Sequence, residues 1–181
     1  FIAKPQGTRF NHTHGSTHGD EAQQLDMGLS GAFIIEPKKE NNQQNKKNPP
    51  TTDIKPYDKE YTLILDEWEI LPGGQNAANP ALKKNSKNTE STPTHSLNYN
   101  LYTINGRAFP DTEPIVVKQH DKVLLRFINA GTSTTHPIHI HGHSFKIIAT
   151  DGNPVPLNAI ITKDTINIAP GERYDLELIA N

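Results

Sequence analysis

The sequence predicts an all-β chain, and three observations support that prediction. Its apolar residues fall into short runs that are rich in Ile, Val, Leu, Thr and aromatic side chains, which is the composition typical of strands. Turn-forming Gly and Pro residues, as in segments 151–154 and 170–172, separate several of these runs. No stretch keeps the 3.6-residue period of an amphipathic helix.

The predicted strands follow one another along most of the chain. They cover residues 30–36, 61–67, 122–129, 145–150, 165–169 and 173–180. In the last of these, side chains alternate in character: Tyr174, Leu176 and Leu178 fall on one face, and Asp175 and Glu177 on the other. This alternation is typical of a strand.

Two polar stretches interrupt the pattern and suggest how the chain is organised. Residues 38–56 and 72–98 are dominated by Asn, Gln, Lys, Ser, Thr and Pro, and they lack the apolar content that would offset the entropy lost on ordering. We therefore predict a first domain over residues 1–70, a polar linker over 71–98 and a second domain over 99–181.

Composition excludes several classes of protein. The net charge of −2 argues against a globally basic nucleic-acid binder. No apolar run approaches the ~18 residues of a membrane span, and we expect neither a membrane-spanning segment nor a signal peptide in this chain. Because the chain has no Cys, it has no disulfide, no cysteine nucleophile and no thiolate ligand of its own. Asp66 and Glu67 are expected to be surface charges.

The first histidine cluster is His12-Thr13-His14. Residues two apart on a strand point to the same side, so the two imidazoles can reach one point. Neutral imidazole is a good ligand for copper, zinc, iron and nickel. The sequence therefore predicts a metal-binding pair here, held by the strand that follows at residues 30–36; His18 is expected to be a loop residue.

The second cluster, in residues 136–143, is denser. On an extended backbone His139, His141 and His143 share one face, whereas His136 lies on the other. Such a strand can serve two metal sites, one on each side. His143 is the weakest candidate ligand, and its expected role is to orient a neighbour by hydrogen bonding.

The run His-Pro-Ile-His-Ile-His-Gly-His at residues 136–143 closely resembles the histidine-rich signature of the multicopper oxidases, laccase-like proteins built from cupredoxin domains. The resemblance extends through residues 105–114, 121–131, 151–152 and 170–174, and upstream through 7–14 and 31–37. It implies cupredoxin-like Greek-key β-sandwich domains, both incomplete. It also implies copper at type 1, type 2 and type 3 sites, and the oxidation of phenols or metal ions coupled to the reduction of O2 to water.

The resemblance also assigns a role to each matching histidine. His136 would bind the mononuclear type 1 copper, and His139 the type 2 copper. His141, His12 and His14 would bind the type 3 coppers. The family's other histidine motifs would precede Phe1 and follow Asn181, so we expect the chain to be a fragment of the enzyme, truncated at both ends. No catalytic residue beyond these ligands is predicted.

The short linker makes the chain resemble the two-domain members of the family, which implies a homotrimer with copper shared between neighbouring subunits. The family is normally exported, which implies an extracellular or periplasmic location. Two alternatives stay open. One is an enzyme like copper nitrite reductase, although Thr13 stands where that enzyme would carry a cysteine. The other is a copper-binding module without catalysis.

Overall fold

A computed structural model of the chain describes residues 2–14, 20–37, 57–79 and 98–181. Strands account for nearly all of its regular structure, so the all-β prediction is confirmed. The predicted loop at 38–56 lies outside the described residues, as do His18 and most of the predicted linker. The elements are β1 Gly7–His12, α1 Asp20–Leu25, β2 Ser30–Ile35, β3 Lys59–Trp68, β4 Ile70–Leu71, β5 Gln75–Asn76, β6 Leu101–Ile104, β7 Lys122–Asn129, β8 His136–His139, β9 Phe145–Thr150, β10 Asn153–Pro154, a 3-10 turn Leu157–Ala159, β11 Thr162–Lys163, β12 Thr165–Ile168 and β13 Arg173–Ile179.

The main layer is a seven-stranded sheet in the order β10-β9-β13-β7-β3-β6, with β11 paired to β9. Most of its pairs are antiparallel, but β3 runs parallel to β7. The strands β12 and β8 form a separate antiparallel pair. Two further antiparallel pairs, β1-β2 and β4-β5, complete the described sheets.

The core lies between the seven-stranded sheet and the β8-β12 pair. Alternate residues of β7, among them Val123, Leu125 and Phe127, point into it, and Ile166 and Ile168 of β12 close it from the other side. All five side chains are buried. Burial of such side chains contributes about 1.5–3 kcal/mol each, so this sandwich is the main source of stability in the second half of the chain.

The opposite face of the sheet is covered by the β1-β2 hairpin. The Thr8 hydroxyl donates to the buried Asp175 carboxylate over 2.6 Å, and the Arg126 guanidinium donates to both residues. Burial raises the pKa of Asp175, and its bonds to Thr8 and Arg126 oppose that rise. Asp175, on the polar face of the alternation in β13, is therefore only 6% exposed.

The position of β3 bears on the predicted domains. A boundary near residue 70 places this strand in the first domain, yet β3 pairs with β6 and β7 of the second. A boundary before Lys59 agrees better with the pairing. The division into two domains stays a prediction.

Candidate metal centre

The first histidine pair lies at the end of β1. The His12 and His14 ring centroids are 4.5 Å apart, so the predicted proximity of the two imidazoles is observed. The Phe10 ring stacks on the His12 ring at 4.9 Å, which fixes its plane. Pairing of His12 with Ser30 holds the end of β1 against β2, as expected from the sequence.

The tautomer of His12 follows from its hydrogen bond. Its Nδ1 lies 3.0 Å from the carbonyl oxygen of Thr13. A carbonyl oxygen can only accept, so Nδ1 carries the proton and, in the neutral ring, the lone pair is on Nε2. A hydrogen bond from one ring nitrogen to a carbonyl oxygen in this way orients a histidine to bind a metal through the other.

The second pair is formed by His139 and His141, whose ring centroids are 5.0 Å apart. Both residues are exposed, whereas Ile138 and Ile140 between and beside them pack against the core. The alternation of histidine and isoleucine therefore sends the imidazoles outward and the aliphatic side chains inward. His139 Nδ1 lies 2.8 Å from the Asp164 carbonyl oxygen, which again leaves the lone pair on Nε2.

His136 begins β8 and contacts a different part of the molecule. Its ring meets the edge of the Tyr102 ring at 5.9 Å, on the edge strand β6. Its Nε2 is buried without a hydrogen-bond partner among the described residues. A buried nitrogen in this condition is costly, and a metal or a donor from elsewhere would relieve the cost. The predicted separation of His136 from the His139–His141 pair agrees with these contacts.

His143 lines the same cavity as His139 and His141, but it forms hydrogen bonds of its own. The chain turns at Gly142, where φ is +75°. The Nδ1 of His143 lies 3.3 Å from the His141 carbonyl oxygen, and the Nε2 of His143 accepts a hydrogen bond from the Asn181 amide at 3.1 Å. Both ring nitrogens of His143 therefore have partners in this conformation, and its place outside the ligand set stays a prediction.

The two pairs do not combine into one site. Within residues 2–14, 20–37, 57–79 and 98–181, no three His, Cys, Asp or Glu side chains are placed to hold a single metal ion. Each pair offers two imidazoles, whereas type 2 and type 3 copper sites need further ligands. The donor set suits copper, but it requires completion from outside the described part of one chain.

Buried acidic residues near α1 and β3 were missed by the sequence analysis. Asp26, Asp66 and Glu67 are all buried, so the expectation that Asp66 and Glu67 are surface charges was wrong. Burial raises the pKa of Asp26 to about 7 and that of Asp66 to about 6. The Tyr99 hydroxyl lies 3.2 Å from the Asp26 carboxylate and 2.5 Å from the Thr132 hydroxyl. Asp66 and Glu67 lie on β3 between β6 and β7, a position that local sequence patterns do not reveal.

No helix within the described segments is long and apolar enough to cross a membrane.

Comparison with known proteins points to one family. A sequence model described as "Multicopper oxidase" matches residues 59–181, a range that includes His136, His139 and His141. The chain is 35% identical over 97 residues to multicopper oxidase MmcO of Mycobacterium tuberculosis, covering 49% of this chain and 18% of that protein. It is 26% identical over 183 residues to Laccase-7 of Oryza sativa subsp. japonica, covering 99% of this chain and 28% of that protein.

Among solved structures, the blue copper oxidase of Nitrosomonas europaea is similar with a TM-score of 0.71 and 34% identity. The similarity covers 100% of this chain and 48% of that one. The chain thus spans between about a fifth and a half of the length of these relatives. The similarity extends over the N-terminal hairpin as well as the sandwich.

Proposed function

The chain belongs to the multicopper oxidase family, with the cupredoxin-like fold of its neighbours, and we propose that it forms part of a copper-dependent oxidoreductase. The enzyme would take electrons from phenolic or metal-ion donors and reduce O2 to water. The observation that carries this proposal is the presence of two imidazole pairs, His12 with His14 and His139 with His141. Copper bound there would supply the electron transfer.

The ligand assignments are proposed residue by residue. His136 would bind the mononuclear type 1 copper, because its buried Nε2 lacks a partner among the described residues and it is separate from the outward pair. His139 would bind the type 2 copper. His141, together with His12 and His14, would bind the type 3 coppers. Because the chain has no Cys, the thiolate of a type 1 site must come from outside this sequence.

We propose that the copper cluster is shared between copies of the protein in a homotrimer. In the part of one chain that the structure describes, no group of three ligands forms, which is the result expected if each copy contributes separate pairs to neighbouring sites. Under this proposal the segment up to residue 37 contributes the first pair and the unit from Lys59 onward the second. An extracellular or periplasmic location is proposed from the family resemblance.

The alternatives differ in what supports them. The relatives are named as multicopper oxidases and laccases, which does not favour a nitrite reductase. A copper-binding module without catalysis describes the isolated chain best, because the imidazole pairs are present and the cysteine is absent.

Copper uptake by the 181-residue chain tests the assignment. The double variants His12→Ala/His14→Ala and His139→Ala/His141→Ala should each lose the copper that binds at the altered pair, measured by metal analysis after dialysis. The control is His120→Asn, at an exposed residue outside both pairs, where Asn tolerates the positive φ of 71°. Copper content unchanged in both double variants would refute the proposed sites.

A further inference from the structure

Glu67 of β3 is fully buried, yet one of its oxygens accepts several hydrogen bonds. Oε1 accepts from the backbone amides of Thr132, Ser133 and Thr134 at 3.0, 2.6 and 3.1 Å. Three consecutive amides converging on one carboxylate oxygen form an anion-binding concavity in the backbone. Glu67 therefore ties the loop between β7 and β8 to β3, the strand next to the edge of the sheet.

The same loop is held at its beginning by Asn129. Its side-chain amide donates to the carbonyl oxygens of Thr134 and Ile168, both at 2.9 Å, and its Oδ1 accepts from the Gly131 amide at 3.0 Å. A Cβ at Gly131 would lie 3.0 Å from the Glu67 carboxyl carbon, so the backbone approaches the carboxylate as closely as a glycine allows. Two polar side chains thus fix the loop from both directions.

The anchored segment leads directly to His136. Thr134 is two residues before it, and the strand β8 begins at His136 itself. The direction in which β8 enters is set by the loop, and with it the contact between the His136 and Tyr102 rings. No other side chain in the described residues accepts hydrogen bonds from the amides of Thr132, Ser133 and Thr134.

We propose that Glu67 is a positioning residue for His136: its carboxylate fixes the loop at residues 131–134 and thereby the orientation of the imidazole that would face the mononuclear copper. This inference rests on the proposed function, since it concerns a proposed ligand. Glu67 acts through the backbone and touches neither the metal nor its donors.

A purely structural role explains the geometry less well. Packing alone would be served by an apolar side chain, whereas burying a carboxylate carries a large desolvation penalty. The second carboxylate oxygen of Glu67, Oε2, is buried without a hydrogen-bond partner among the described residues. Only Oε1 accepts hydrogen bonds from the loop. Burying the carboxylate lowers the stability of the fold but fixes the conformation of the loop, and a segment that carries a metal ligand requires a fixed conformation.

Three variants of the 181-residue chain test the proposal by NMR. Glu67→Gln keeps an acceptor oxygen at the same distance, Glu67→Leu removes it, and Glu67→Asp retains the charge but falls one methylene short of the amides. The readouts are hydrogen exchange of the amides of residues 132–134 and the nuclear Overhauser effect between the His136 and Tyr102 rings. Contact between the His139 and His141 rings is the internal reference.

The expected result is rescue by the conservative variant. Glu67→Gln should keep the His136–Tyr102 contact, while Glu67→Leu and Glu67→Asp should lose it. In the latter two variants the amide hydrogens of the loop should exchange about tenfold faster or more. Leu63→Ala, on the same strand but in the core, controls for general destabilisation and should keep the contact. If Glu67→Leu does not fold, Glu67→Asp alone decides.

Persistence of the His136–Tyr102 contact in both Glu67→Leu and Glu67→Asp would overturn the proposal, as would its loss in Leu63→Ala to the same extent. Neither readout involves copper. Failure of the copper-binding assignment would instead appear as unchanged copper content in the histidine variants, so the two failures are distinguishable.

Discussion

Backbone carbonyl oxygens determine which ring nitrogen of the paired histidines is available to copper. For His139 a second acceptor contributes, since Nδ1 also lies 3.0 Å from the Thr165 hydroxyl. That hydroxyl can accept from Nδ1–H alongside the Asp164 carbonyl oxygen. Both contacts fix the ring with Nε2 outward. Contacts of this kind typically change metal affinity by about 10–100-fold when removed.

We predict that Thr165→Val weakens copper binding at the His139–His141 pair by no more than about tenfold, because the Asp164 carbonyl still holds Nδ1. His139→Ala/His141→Ala should abolish binding at the same pair. A competition titration with a chelator of known copper affinity measures both effects. Thr162→Val, at an exposed position, is the control. Loss of all binding in Thr165→Val would contradict the secondary role of the hydroxyl.

Asp26 is the residue whose ionisation should most affect stability. Burial raises its pKa to about 7, with the Tyr99 hydrogen bond lowering it and the charges of Asp66, Glu67 and Glu69 raising it. The folded chain therefore keeps a proton on Asp26 that the unfolded chain releases near its ordinary pKa of 3.8. The contribution of this proton to the stability of the folded chain is fully present below about pH 4 and is lost as pH rises toward about 7.

Asp26→Asn should therefore stabilise the chain at pH 8, where it removes the cost of a buried charge and keeps an acceptor for Tyr99. The expected gain in unfolding free energy is on the order of 2–4 kcal/mol, and it should disappear below about pH 4. Urea unfolding at pH 4, 6 and 8 measures it. Asp111→Asn, at an exposed site, should show no such pH dependence. A stability difference independent of pH would exclude this account.

At the scale of elements, strand positions were predictable but their partners were not. The predicted segments 122–129, 145–150 and 165–169 match β7, β9 and β12 to within a residue, because short β-branched runs between turns identify strands locally. The parallel pairing of β3 with β7 joins residues far apart in sequence, and alternation carries no information about it. The burial of Asp66 and Glu67 follows from this pairing and was missed for the same reason.

The packing of β1 against the turn between β9 and β10 likewise could not be predicted from local sequence patterns. It depends on two glycines. Gly7 has a φ of +128°, and a Cβ there would lie 2.0 Å from the Gly152 carbonyl oxygen. The guanidinium of Arg9 donates to the Asp151 and Gly152 carbonyl oxygens from the same strand. The hairpin that carries His12 is therefore placed against the turn between β9 and β10 by a close backbone approach.

Gly7→Ala should destabilise the chain more than a glycine substitution that strains the backbone but causes no steric clash. Gly73 provides the comparison, because its φ is +97° and a Cβ there would meet nothing within 4 Å. We expect Gly73→Ala to cost about 1 kcal/mol and Gly7→Ala to cost about 1–3 kcal/mol more, as for other overpacked sites. Chemical denaturation gives both values. Equal losses would show that Gly7 and Gly152 are not in close contact in solution.

At the scale of the whole molecule, the proximity of the paired imidazoles was predictable and the way the pairs assemble was not. His-x-His spacing on a strand places two imidazoles on one side, and both predicted pairs are observed. How the pairs combine depends on surfaces that no motif describes. Within residues 2–14, 20–37, 57–79 and 98–181 the side chains form pairs and no larger group, so the proposed cluster must draw on another copy or on residues outside those ranges.

If copies share copper, binding and association must be linked. Each copper that bridges a first pair on one copy and a second pair on its neighbour adds its binding free energy to the interface, so copper should raise the apparent molecular mass of the chain. Light scattering after size exclusion, with and without copper, measures this. His12→Ala/His14→Ala and His139→Ala/His141→Ala chains should each stay unassociated with copper alone.

Mixing the two double variants is the decisive case. A dimer of the two can form one complete junction, from the second pair of one variant and the first pair of the other, but it cannot propagate into a closed ring. The mixture should therefore reach a copper-dependent dimer and stop, whereas the unmodified chain should go on to a trimer. A monomer mass with and without copper in every sample, the unmodified chain included, would contradict the proposed sharing.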